Sequence, residues 1–153
     1  MKKLKLINLF LIFLFFLSCG YSPLYKDLNK INFSITINEI NGDRKINNLL
    51  KSNLNKYNTN NLEKNYNIDI NSKYIRDIIA KDTTGAATEY KLTINATFNI
   101  SSENYDKEFI FNESFNMKSF SDQLEEQDYE EDVKSNLANI ITRKLVLQLS
   151  LIK

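Results

Sequence analysis

The stretch Tyr90-Lys91-Leu92-Thr93-Ile94-Asn95-Ala96-Thr97-Phe98-Asn99-Ile100 decides the fold. Every even position is apolar and every odd position is Lys, Thr or Asn. A period of two places these sets on opposite faces of a pleated strand, one buried and one wet. A strand of that kind belongs to an antiparallel sheet with a single covered face.

The pattern extends in both directions. On the C-terminal side, Ser101 to Asp106 reads as a short polar turn. Phe109, Phe111, Phe115 and Met117 then mark another strand, with Glu113 interrupting its apolar face. On the N-terminal side, Lys81-Asp82-Thr83-Thr84-Gly85 reads as a turn. Before it, Tyr66, Ile68 and Ile70 alternate with Asn67, Asp69 and Asn71, and the strand continues through Tyr74, Arg76 and Ile78 to about Ala80. Ser72-Lys73 weakens the apolar set, as a bulge would. Such short turns predict an antiparallel meander.

Two helical patterns flank it. Asn32 to Ile40 alternates, with Phe33, Ile35 and Ile37 on one side, until Asn41-Gly42 breaks the strand. Asp43 is a candidate cap. Ile46, Leu49, Leu50, Leu54 and Tyr57 then form one apolar stripe of a helix over residues 43–57, followed by a polar loop over residues 58–64. A helical crossover predicts parallel pairing of the first two strands. At the other end, Asp122 with Glu125 fits a capping box. Tyr129, Val133, Leu137, Ile141, Leu145, Leu149 and Ile152 recur at helical spacing, and Ile140, Val146, Leu147 and Leu151 widen the stripe. Glu125, Glu126, Asp128, Glu130, Glu131 and Asp132 crowd the first turns, while Arg143 and Lys144 come late, an order that suits the helix dipole. The acidic cluster is read as helix-terminus charge; the spacing of an EF-hand is absent. The order is β-α-β-β-β-α. The prediction is a two-layer α+β sandwich over residues 31–153: a four-stranded mixed sheet covered on one face by two helices.

The N-terminal residues read differently. Lys2, Lys3 and Lys5 precede a run from Leu6 to Leu17 that is apolar apart from Asn8. As a helix these twelve residues reach about 18 Å, well short of a hydrocarbon core of roughly 30 Å. The layout is that of a secretory signal over residues 1–18. Phe16-Leu17-Ser18-Cys19 resembles a bacterial lipobox, with Phe16 where Leu is usual. In proteins of that type the Cys is acylated and becomes the new amino terminus. Cys19 is the chain's one cysteine, so it has no partner for an internal disulfide. Residues 19–30 read as a tether. Pro23 stiffens it, and Tyr21 and Tyr25 either pack on the domain or lie at a membrane interface.

Composition narrows the chemistry. Residues 19–153 carry 17 basic and 19 acidic residues, a net charge of −2 once the three leading lysines are removed. No basic field exists to attract nucleic acid. The chain has no histidine, so the commonest general base and metal ligand is missing. There is no Gly-rich phosphate loop, nucleophile elbow or H-E-x-x-H. The chain is read as non-enzymatic, with no metal and no cofactor apart from covalent diacylglycerol and an N-acyl chain on Cys19. Carboxylates from distant segments are the one route left open to an enzyme.

Cys19-Gly20-Tyr21-Ser22-Pro23-Leu24-Tyr25 resembles the Cys-Gly-aromatic-x-Pro-Leu-Tyr start of lipopolysaccharide-assembly lipoproteins of the LptE family. The order of elements and the acid-rich opening of the last helix, around Asp128 to Asp132, are similar to that family too. The resemblance implies a lipid-anchored protein of the cell outer membrane, on the periplasmic side or inside a large β-barrel. It implies that barrel as partner, help in its assembly, and delivery of lipopolysaccharide to the outer leaflet. Family basic residues are held to contact lipopolysaccharide phosphates. Arg76 and Lys81, placed near the turn between the second and third strands, are the candidates here. The competing reading is an accessory lipoprotein of another envelope lipid-transport or barrel-assembly system.

Overall fold

Leu92, Ile94, Ala96, Phe98 and Ile100 form the floor of the core, each at most 1% exposed. The computed structural model describes residues 33–58, 62, 64–103 and 105–152. The chain runs β1 (Phe33–Gly42), α1 (Arg44–Leu54) with a 3-10 turn over Asn55–Tyr57, β2 (Lys64–Lys81), β3 (Ala87–Ser102), β4 (Tyr105–Lys118) and α2 (Gln123–Ser150). The strands form one sheet in the order β1-β2-β3-β4. β1 is parallel to β2, and β2, β3 and β4 are antiparallel in turn. α1 lies against β1 and β2, α2 against β3 and β4, and the helices touch. This is the expected two-layer α+β sandwich. The signal, Cys19 and the tether fall outside the described residues.

β1 changes parity part way along. Phe33, Ile35 and Ile37 face the helices, yet the next apolar residue is Ile40. An irregularity between Ile37 and Glu39 absorbs the mismatch, so Ile37 pairs with Ile68 and Ile40 with Ile70. Leaving Asn38 unpaired returns Ile40 to the covered face.

Ser72-Lys73 holds no bulge. Ser72 pairs with Ala96 and Lys73 with Asn95 in unbroken register, and the irregularities of β2 come later, around Ala80. Ser72 points inward because the β1–α1 corner needs a polar partner there. Its hydroxyl donates to Asn47 Oδ1 at 2.7 Å, and Asn47 Nδ2 donates to the Asn41 carbonyl at 3.1 Å. The Asp43 N–H donates to the Ser72 carbonyl at 2.9 Å. Buried polar groups that find partners in this way cost little. Gly42 makes the corner possible: its φ is +100°, and a Cβ there would stand 1.9 Å from the Ser72 carbonyl oxygen.

Both helices begin on side-chain caps. Asp43 accepts from the Ile46 N–H at 3.0 Å. Asp122 accepts from the N–H groups of Leu124 and Glu125 at 2.7 and 3.3 Å. The return arm of the cap comes from Glu126, which accepts from the Phe120 N–H at 2.9 Å, and not from Glu125 as the capping box predicts. Val133, Leu137, Ile141, Leu145 and Leu149 bury the main stripe of α2, and Val146 joins it. Ile140, Leu147 and Leu151 stay 39%, 44% and 66% exposed. Among the described residues, no helix is long and apolar enough to cross a membrane.

Candidate functional site

The inward row of β2 turns polar beyond Ile70. It continues as Ser72, Tyr74 and Arg76, opposite Ala96, Ile94 and Leu92. A guanidinium brought under a helix must be paired, and the first turns of α2 supply the partners.

Arg76 Nη1 meets Glu130 Oε2 at 2.7 Å, and Nη2 meets Glu126 Oε1 at 2.5 Å. The guanidinium lies over the Tyr90 ring, 3.8 Å from its centroid. Tyr74 donates its hydroxyl to Glu130 Oε1 at 2.8 Å. Lys134 reaches the same oxygen at 2.8 Å and Glu131 Oε1 at 3.0 Å. The Lys134 ammonium also stands 4.5 Å from the centroid of the Tyr74 ring. Lys45 of α1 closes the outer end on Glu131 at 2.8 Å, in an exposed pair that adds little. Three cations thus face three carboxylates. A groove lined by Lys45, Arg76, Gln127, Asp128, Glu130 and Glu131 runs over this cluster.

Burial alone would push the Glu130 carboxyl up. Hydrogen bonds from Lys134 and Tyr74, with the charges of Lys134 and Arg76, outweigh it and hold the carboxyl below its usual range. The same contest leaves Lys134 raised, because its carboxylate partners outweigh desolvation. Tyr74 is pushed well up, first by burial and then by its bond to Glu130. Glu130, Lys134 and Tyr74 are thereby fixed in their ordinary charge states. The arrangement offers no poised acid or base; it fastens α2 to β2.

Arg76 is not in the turn. It sits within β2, six residues before Asp82, and its guanidinium is engaged by two carboxylates. Lys81 ends β2 and is exposed. Five residues of strand, about 16 Å, separate the two, so they do not converge on one phosphate. The residues that sequence reasoning misses are Glu130, which reads there as helix-terminus charge, and Lys134, which has no role there. Their signal was positional. Glu130, Lys134, Leu137 and Ile141 follow at spacings of four, three and four, the i, i+4 order with Glu first that favours pairing on one face.

The outer face of the sheet is polar, carrying Asn67, Asn71, Lys73, Lys91, Asn95 and Asn99 among others. The fold defines a two-layer α+β sandwich whose covered face is locked by a neutral ion network and whose second face is wet. The chain matches the model of LptE, described as lipopolysaccharide-assembly, over residues 32–149. It belongs to that family, and its role lies in lipopolysaccharide assembly.

Solved structures agree on the fold. Rare lipoprotein B from Shewanella oneidensis superposes with a TM-score of 0.54 at 12% identity, covering 74% of this chain and 93% of that one. A lipoprotein from Caulobacter crescentus gives 0.51 at 12% identity, covering 77% and 87%. Lipoprotein B from Nitrosomonas europaea gives 0.50 at 13% identity, covering 78% and 86%. No curated protein matches the chain in sequence.

Proposed function

We propose that this chain is an outer-membrane lipoprotein, held by acyl chains on Cys19, that associates with the lipopolysaccharide-transport β-barrel. It assists assembly of that barrel and delivery of lipopolysaccharide to the outer leaflet, without a catalytic step of its own. The observation that carries this reading is the family match over residues 32–149. The lipobox-like stretch at Cys19 supports the anchor, since two acyl chains hold a protein stably at a bilayer. The fixed charges around Glu130 support a non-catalytic role. In this reading Lys81 is the residue offered to lipopolysaccharide phosphates, and Arg76 serves by keeping α2 in place.

Depletion tests the role. Loss of lipopolysaccharide from the cell surface, with recovery of a large barrel protein on mild-detergent purification, is the expected result. Normal surface lipopolysaccharide after depletion overturns it. Palmitate should label the wild type and spare Cys19→Ala; equal labelling of both removes the anchor. Binding of lipopolysaccharide should weaken in Lys81→Ala, and an unchanged affinity removes that contact.

A further inference from the structure

α2 is held to the rest of the fold in two different ways along its length. From Val133 onward it buries an apolar stripe through Leu137, Ile141 and Leu145 to Leu149. Ahead of Val133 the one buried residue of the helix is Glu130, a charge. Residues 123–129 bury nothing, and Leu124 stands 71% exposed. About three turns of helix thus rest on the sheet without an apolar anchor of their own.

These turns span one row of the sheet. Arg76 pairs with Leu92 across β2 and β3, and Leu92 pairs with Phe115 across β3 and β4. At one end of the row Arg76 reaches Glu126 and Glu130. At the other end the Phe115 and Tyr129 rings lie 6.4 Å apart, and both side chains stay exposed. Leu92, between the two ends, is fully buried. The aromatic contact is open to water, so the guanidinium is the firmer fastening. Tyr74 adds a hydrogen bond to Glu130, and Lys45 adds an exposed ion pair to Glu131.

Both ends of the segment are pinned. The Ser119 N–H donates to the Thr88 carbonyl at 2.9 Å, and Val133 enters the core. Phe120 lies between those points, with its ring 5.2 Å from that of Tyr129, so the aromatic pair belongs to one segment. Residues 120–132 form a strap between two fixed points.

We propose that this strap lifts and unwinds as a unit while the rest of the fold stays closed, with Arg76 as its clasp. Opening bares Leu92 and releases the guanidinium from Glu126 and Glu130. Local openings of this kind arise where few apolar contacts must be broken. Arg76 and Glu126 are both partly exposed, so salt screens the clasp, whereas the apolar half of α2 has no ionic fastening to screen. The inference does not depend on the lipopolysaccharide role.

Amide hydrogen exchange of the full chain in detergent micelles tests it. Protection from Gln127 to Asp132 is expected to lie at least about tenfold below that from Ile141 to Leu149. Raising sodium chloride from about 0.05 to 1 M should quicken exchange in the strap about threefold and leave Leu145 unchanged. Arg76→Met should quicken the strap about tenfold and abolish its response to salt. Glu126→Gln, which keeps Glu130 on the guanidinium, is the milder variant and should quicken the strap about threefold. Equal protection along the whole of α2 overturns the proposal, as does quickening that is uniform from Gln127 to Leu149 in either variant. A strap indifferent to both salt and Glu126→Gln overturns it too.

Discussion

Glu130 and Lys134, one turn apart on α2, meet at 2.8 Å with their side chains only 9% and 8% exposed. Such a pair is asymmetric in its energetics. Its net contribution is small, but removing one partner strands a charge away from water. Glu130→Ala is expected to cost about 3 kcal/mol, since Arg76 and Lys134 both lose a carboxylate. Glu130→Leu with Lys134→Leu should cost clearly less than the two single changes added together, with a coupling of about 1–3 kcal/mol. Urea unfolding of the three variants measures this. Additive effects would show that the pair is not a unit.

The same cluster sets the pH range of stability. Glu130 and Glu131 are held below their ordinary value of 4.5; for Glu131 the hydrogen bond from Lys45 leads. The unfolded chain therefore binds protons first as pH falls. The stabilisation is complete above about 4.5 and is lost as pH drops through the lower folded values. Tyr74 and Lys134 are raised above 10.0 and 10.5, so their stabilisation is complete below about 10 and fades as pH rises further. No histidine titrates between these limits. The melting temperature is expected to stay flat from about pH 6 to 9 and to fall on both sides, and Glu130→Gln should flatten the acid limb. A slope between pH 6 and 8 would contradict this.

Gly42→Ala tests the β1–α1 corner. A φ of +100° is costly for any residue with a Cβ, and this Cβ would collide with backbone. The change is expected to cost more than about 3 kcal/mol, or to prevent folding. Ser72→Ala is the milder companion. It leaves Asn47 without its donor and should cost about 1–2 kcal/mol by chemical unfolding. A neutral Gly42→Ala would mean that the corner is built differently.

Asp122→Ala removes the carboxylate that accepts from Leu124 and Glu125. A loss of about 1 kcal/mol is expected. Amide hydrogen exchange should quicken in the first turns of α2 and remain unchanged at Leu145. Uniform quickening along the helix would locate the cap's contribution elsewhere.

Where one face of an element was strictly apolar, the sequence was enough. Residues 90–100 and the stripe from Val133 to Leu149 declare their strand and helix because burial imposes a period. The family resemblance, carried by Cys19 to Tyr25, agrees with the match over residues 32–149. Inward polar residues hid the rest. Ser72 breaks the apolar run of β2, so it imitates a bulge, while its purpose is to answer Asn47 across the layer. Arg76 sits on the inward parity of β2, yet as a lone charge in the sequence it reads as a candidate phosphate contact. A charge is expected outside unless its partner is known. Glu130 and Glu126, those partners, lie 50 or more residues away, a distance no local pattern spans.

The strands stand side by side in the order in which they are made. A chain that emerges from its amino end can lay each strand on one already present, with no gap left for a later insertion. The greasy floor around Phe98 nevertheless waits for its cover until the last 28-residue helix arrives. Until then that floor lies open to water, and this is when the polypeptide most needs an escort.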